Sequence, residues 1–167
     1  MRELPAVRAA LAAEHAVLYG YGVVGGKIER GRRDEVREAY DSHRARRDTL
    51  QRRVRELGGT PRPAAAAYAL PFPVPDGEAA VRLAAELEDR LAGAYADLVR
   101  ATTGGRRRDA AAALREAAIR SARWRGGGVA FPGLAERAST PSEPPSGGSP
   151  GTPDPGAGAA SGGHGRL

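Results

Sequence analysis

Apolar residues recur every three or four positions along residues 4–124, and this period is typical of long amphipathic helices. It predicts four of them: helix A at 4–29, helix B at 34–57, helix C at 76–101 and helix D at 107–124. Asp34 is the predicted N-cap of helix B, and Gly58 with Gly59 is its stop signal. The chain is therefore expected to be mainly helical.

The connections between these helices differ in length, and the difference selects the topology. Only a few residues separate A from B and C from D, so each pair is predicted to form an antiparallel hairpin. Residues 59–75, between B and C, hold five Pro, which disfavour helix and favour extended backbone. This segment reaches ~50 Å, more than the ~36 Å length of helix B. We therefore predict an all-α fold, a ferritin-like four-helix bundle of two antiparallel hairpins joined by a long crossover.

The last thirty residues have a different composition. Residues 138–167 contain eight Gly, six Pro and five Ser, and Leu167 is their only large apolar side chain. Such a segment buries too little apolar surface to offset the entropy of ordering it. The predicted domains are thus a helical bundle at 1–137 and a disordered tail rich in Gly, Pro and Ser at 138–167.

Charge and cysteine content narrow the functional classes. The chain has 26 Lys and Arg against 20 Asp and Glu, a net charge of +6, and the two signs are interleaved along the predicted helices. Solvated helix faces explain this pattern, and weak nucleic-acid binding by a basic helical protein stays as an alternative. No signal sequence or charge-free membrane span is visible, which predicts a cytoplasmic protein without membrane contact. The absence of Cys excludes disulfides and thiolate metal sites.

Ionisable residues interrupt the apolar stripes of three helices. Glu14 falls in the interior register of helix A, and Glu88 lies at the edge of the apolar arc of helix C. On helix B, Tyr40, His43 and Arg47 follow one face toward the core. An isolated buried charge is costly, so we predict that these residues form one interior polar cluster.

Two interpretations of this cluster remain open. In the first, Arg47 and Arg120 neutralise Glu14 and Glu88 in a buried ion network, and no cofactor is expected. In the second, Glu14, His43 and Glu88 bind iron or manganese. Ferritin-like di-metal centres take one Glu from each of two helices and a Glu-x-x-His pair from each of the others. Here helix B has Tyr in place of that Glu, and helix D contains no His.

Two further features belong to the predicted core. Tyr19, Tyr21, Tyr40 and Tyr95 are expected to be core and groove aromatics whose hydroxyl groups find hydrogen-bond partners. Gly20 and Gly22 imitate a phosphate-binding glycine pattern, but no strand precedes them, so close helix packing is the better explanation.

Several short strings together resemble a known family. They are ALAAEHAVLYGYG at 10–22, YDSHRARR at 40–47, YALPFPV at 68–74, LED at 87–89 with AY at 94–95, and ARWR at 122–125 with AFPGL at 130–134. This combination, over about residues 4–134, resembles the ferritin-like family of unknown function found in high-GC bacteria. The resemblance implies a ferritin-like fold and no established activity. The ligands missing from helices B and D depart from the pattern of metal-binding ferritin-like enzymes.

The leading hypothesis for function is a non-catalytic binding or interaction protein whose interior metal site is degenerate. The alternative of a different class is an iron- or manganese-dependent oxidoreductase of the same fold. Helix A is apolar nearly all round, because Val17, Val23 and Val24 lie outside its core stripe. We therefore predict a homodimer that packs through helix A, unless the crossover covers this surface.

Overall fold

The computed structural model describes residues 2–126 and contains four long helices. They are α1 (Glu3–Lys27), α2 (Arg33–Glu56), α3 (Gly77–Ala101) and α4 (Gly104–Arg125). No strand occurs within this part of the chain, so the predicted all-α class is confirmed. None of the helices in 2–126 is both long and apolar enough to cross a membrane. The predicted tail at 138–167 and the predicted domain boundary after Arg137 lie outside the described residues.

The helix ends follow local sequence signals in most cases. Asp76 caps α3, and its side chain accepts a hydrogen bond from the backbone N–H of Ala79 at 2.8 Å. Gly58 has a φ of +74° just past α2, as its predicted stop signal requires. Asp34 is not an N-cap, because α2 already begins at Arg33. It lies in the first turn, where a carboxylate favours the helix dipole.

The start of helix D was predicted too late. The helix begins at Gly104, because Thr102 and Thr103 alone complete the connection from α3. The hydroxyl of Thr102 donates to the carbonyl of Leu98 at 2.7 Å and closes the last turn of α3. The backbone N–H of Arg107 then reaches the carbonyl of Thr103, so Gly104 and Gly105 lie within the first turn of α4, with Gly104 at a φ of +56°.

Side-chain pairs between the helices give their directions. Arg53 near the end of α2 donates to Glu3 at the start of α1, at 2.6 Å, so these helices are antiparallel. Ser121 near the end of α4 donates to the carbonyl of Ala85 near the start of α3, at 3.1 Å, so that pair is antiparallel too. Both predicted hairpins are therefore present.

The two hairpins meet through α1 and α3, which are also antiparallel. Tyr21 lies opposite Glu88, and Tyr95 lies opposite Glu14. It follows that α2 and α3 run in the same direction, and that the connection between them returns along the length of the helices. In contrast to the other neighbouring pairs, no Cα atom of α2 lies within 8 Å of a Cα atom of α4.

The connection between α2 and α3 packs on the helices instead of looping away from them. Leu70, Phe72 and Val74 are partly buried against the hydrophobic core. The ring of Tyr68 lies 5.7 Å from that of Tyr19 on α1. The crossover thus covers part of the apolar surface that the sequence assigned to a homodimer.

Gly20 marks the closest approach of α1 to α3. A Cβ atom at this position would overlap the side chain of Leu87. The next glycine along, Gly22, has nothing within 4 Å of the same hypothetical atom. Close helix packing, as predicted, therefore explains Gly20 but not Gly22.

Candidate functional site

Five polar residues meet in the interior of the protein, and we call them the buried cluster. Glu14 and Tyr21 come from α1, His43 from α2, and Glu88 and Tyr95 from α3. Glu14, His43 and Glu88 have no exposed surface, and both tyrosines are buried. All three of these ionisable residues were predicted from the sequence, because each interrupts an apolar stripe.

His43 is the centre of the buried cluster. Its Nδ1 atom lies 2.9 Å from Oε2 of Glu14, and its Nε2 atom lies 3.0 Å from Oε1 of Glu88. A neutral imidazole donates from only one nitrogen, so both contacts with carboxylates are satisfied only when the ring is doubly protonated. Burial lowers the pKa of His43, but the hydrogen bonds to Glu14 and Glu88 outweigh burial and raise it above its ordinary value. At pH values below this raised pKa, the arrangement is an imidazolium held between two carboxylates.

The tyrosines complete the hydrogen bonds of the carboxylates. Tyr21 donates to Oε1 of Glu88 at 2.6 Å, and Tyr95 donates to Oε1 of Glu14 at 2.5 Å. Burial, together with the adjacent carboxylate, raises the pKa of each phenol far above its ordinary value. The tyrosines therefore stay protonated and act as donors. Trp124 of α4 donates to the Tyr21 hydroxyl at 3.1 Å and fixes its orientation.

The sequence contained a signal for these partners that residue-by-residue reasoning missed. Glu14 and Tyr21 are seven residues apart on α1, and Glu88 and Tyr95 have the same spacing on α3. Because the two helices are antiparallel, each Tyr lies opposite the Glu of the other helix. The prediction of core tyrosines with satisfied hydroxyls is confirmed for Tyr21 and Tyr95, but it is wrong for Tyr40, which is exposed.

Tyr40 and Arg47, which the sequence placed in the cluster, lie outside it. Tyr40 is 36% exposed, because the buried stripe of α2 passes through Ala39 instead. Arg47 is partly buried and binds Asp48, with Nη2 to Oδ1 at 2.7 Å. The guanidinium of Arg47 pairs with this neighbouring residue on its own helix and with neither carboxylate of the cluster.

Two arginines, Arg120 and Arg46, lie next to the buried cluster. The Nη1 atom of Arg120 lies 4.0 Å from Oε1 of Glu88, and its Nη2 atom donates to the Ser42 hydroxyl at 2.9 Å. The predicted approach of Arg120 to Glu88 is therefore present at the limit of an ion pair. Glu116 binds Nη2 of Arg46, and its Oε2 atom is 3.7 Å from Nη2 of Arg120. These contacts bridge α2 and α4, whose backbones stay apart.

The residues of the cluster do not fit the di-metal centre of ferritin-like enzymes. The two ring nitrogens of an imidazole point away from each other, so Glu14 and Glu88 lie on opposite sides of His43 and share no common point with it. The inward-facing residues of α4 offer no carboxylate or imidazole; they are Ala110, Ala113, Ala117, Ser121 and Trp124. Over residues 2–126, no three His, Asp or Glu side chains are arranged to hold a metal ion.

A second candidate site is the gap where the backbones of α2 and α4 stay apart, and we call it the α2–α4 groove. Its volume is about 500 Å³, and Tyr95 lies on its wall with apolar neighbours such as Leu50 and Leu98. Arg46 and Glu116 line one part of it, and Arg53 lines another. Tyr95 therefore connects the groove with the buried cluster, because its hydroxyl group bonds Glu14.

Comparisons with known proteins place the chain in a family without assigning an activity. No curated protein matches it. The crystal structure of a conserved hypothetical protein, rv2844, from Mycobacterium tuberculosis is similar, with 38% sequence identity and a TM-score of 0.71. That similarity covers 73% of this chain and 93% of the other. Residues 6–136 match the family described as Domain of unknown function (DUF4439). The chain belongs to the DUF4439 family.

Proposed function

We propose that this protein is a non-catalytic, ferritin-like binding protein in which the buried cluster replaces an interior metal centre. The proposal rests on one observation: both ring nitrogens of His43 are engaged by carboxylates of two other helices. The ferritin-like assignment is supported by the two antiparallel hairpins and the long connection between them.

The charges and hydrogen bonds of the cluster support a metal-free interior. The two carboxylates face the imidazolium of His43, and Arg120 approaches Glu88 at 4.0 Å. A metal ion bound to His43 would have to displace the proton of one ring nitrogen and break its contact with a carboxylate. A tyrosine hydroxyl displaced from its carboxylate would be left buried without an acceptor, which costs about 1–3 kcal/mol.

One observation favours the alternative, an iron- or manganese-dependent oxidoreductase. Oε2 of Glu88 is buried and has no hydrogen-bond partner among the described residues. Buried polar atoms usually have a partner, and a bound cation would supply the partner that this oxygen lacks.

Metal analysis separates the two proposals. The protein is purified from cells grown with added iron and manganese, and bound metal is measured by mass spectrometry after gel filtration. We expect far less than stoichiometric metal and no change in melting temperature on adding either ion. Near-stoichiometric metal that disappears in Glu14→Gln, but not in Glu86→Gln on the surface of α3, would overturn the proposal.

The binding role is assigned to the α2–α4 groove. Ligand sites are typically clefts of about 300–1,000 Å³ with apolar walls and a few polar groups, and the groove matches that description. Nucleic-acid binding stays a weaker alternative, because surface arginines are paired with acids on the same helix, for example Arg90 with Glu86. Fluorescence anisotropy with labelled DNA and RNA at low salt tests it, and we expect no binding.

A further inference from the structure

We propose that the α2–α4 groove binds an aliphatic monocarboxylate, with the carboxylate on Arg46 and the hydrocarbon chain along the groove. This inference rests on the binding role proposed above and names its ligand class. Two features of the groove support it: a partly buried guanidinium with one buried, unused donor, and an apolar wall in the same groove.

The unused donor belongs to Arg46. Its side chain is only 17% exposed, and its Nη1 atom is buried without a hydrogen-bond partner among the described residues. Its Nη2 atom binds Glu116, which also lies 3.7 Å from Arg120. Two guanidinium groups thus share one carboxylate. A second carboxylate would satisfy the N–H of Arg46 through a charge-assisted hydrogen bond, the strong class of such bonds.

The walls of the groove fit a hydrocarbon chain. Leu50, Leu98, Ala110 and Ala113 line it. The small side chains on α4 leave space that larger ones would fill. The guanidinium of Arg46 lies over the ring of Tyr95, 5.9 Å from the ring centre, so the charged and apolar parts of the site are adjacent.

The end of the groove away from Arg46 limits the length of the hydrocarbon chain that fits. Arg53 and Arg106 line that end, and both bind Glu3, at 2.6 and 3.0 Å. Arg53 also binds Glu56, so its charge is already compensated. From Arg46 to Arg53 the helix rises ~10 Å. A chain much longer than this would extend past the ion pairs into water. Affinity should therefore rise with chain length and then level off.

Calorimetric titration with decanoate, below its micelle concentration, tests the assignment on the full chain. We expect saturable binding that Arg46→Met weakens about tenfold or more, since it removes a charge-assisted hydrogen bond. Glu116→Gln should strengthen binding, because it removes the internal carboxylate that competes for Arg46. Arg44→Met, at an exposed position of the same helix, is the matched control and should bind as the wild type does. Opposite effects at Arg46 and Glu116 are not expected from general destabilisation.

A second variant covers the case in which Arg46→Met disturbs folding. Ala113→Leu fills the groove and should abolish binding while circular dichroism stays unchanged. The carboxylate assignment is wrong if wild-type protein does not bind decanoate, if Arg46→Met binds equally well, or if decyltrimethylammonium binds as tightly. Preference for an acidic helical peptide over decanoate would also overturn it. Metal-free protein that fails to bind decanoate would refute only this ligand class, whereas stoichiometric metal would refute the proposed function itself.

Discussion

Replacing Glu14 with Gln is the sharpest test of the buried cluster. Glu14 accepts two hydrogen bonds, from His43 at 2.9 Å and from Tyr95 at 2.5 Å. A Gln side chain has one acceptor oxygen and an amide group that only donates, so one of the two donors loses its acceptor. Breaking a buried ion pair typically costs about 3–5 kcal/mol. We therefore expect Glu14→Gln to lower the free energy of unfolding by ~3 kcal/mol or more.

Urea unfolding followed by circular dichroism measures this loss. The matched control is Glu86→Gln, because Glu86 pairs with Arg90 on the surface of α3 at 2.7 Å. An exposed pair of this kind contributes little, so the control should change stability by less than about 0.5 kcal/mol. If Glu14→Gln is as neutral as the control, the cluster does not stabilise the fold and our account of the interior fails.

His43 gives the same experiment a pH dependence of known sign. Folding raises the pKa of His43, so the folded state binds the proton more tightly than the unfolded state, whose imidazole has a pKa of ~6.5. This contribution to stability is fully present below a pH of ~6.5, and it is lost as the pH rises through the pKa of His43 in the folded state. In Glu14→Gln one of the two carboxylates that raise the pKa is gone, so the pH-dependent part of the stability should be smaller. A wild type whose stability rises with pH over this range would contradict the imidazolium assignment.

Three further predictions concern packing, the tail and association. Gly20→Ala should destabilise the protein relative to Gly22→Ala by about 1–3 kcal/mol, because only the first substitution forces the Leu87 side chain to move. Equal melting temperatures of the two variants would show that α1 and α3 are not closely packed at Gly20. Deleting residues 138–167 should leave the melting temperature unchanged, since little apolar surface is removed, and a large drop would show that this segment docks on the bundle. The homodimer through α1 stays a prediction, and sedimentation velocity at high micromolar concentration tests it. A monomer under these conditions would mean that only the crossover covers the apolar surface of α1.

The helices could be predicted from the sequence because their signals are local. The apolar period and the Gly residues after α2 act within a few residues of the position that they specify. The five Pro between α2 and α3 likewise disfavour helix locally, and the extended segment that contains them is long enough to return along the helices. Only the start of helix D was clearly misplaced, because two glycines indicated a loop where the N–H of Arg107 reaches back to Thr103.

The interior charges were also visible in the sequence, but their partners were not. Glu14, His43 and Glu88 interrupt apolar stripes, so their burial follows from the helical period alone. Choosing Arg47 as a partner required knowing which side of α2 faces α1, and a helix wheel does not contain that information. The choice was wrong because His43 reaches both carboxylates, whereas Arg47 pairs with Asp48 on its own helix.

The sequence by itself thus determined the helices, the long connection and the burial of three ionisable residues, because each depends on spacing along one chain segment. Tertiary structure decided which atoms meet: antiparallel packing of α1 and α3 pairs each Tyr with the Glu of the opposite helix. It also decided that α2 and α4 stay apart and leave a groove beside Arg46. The distance between two helices depends on side chains from all four of them, and no local pattern in either helix specifies it.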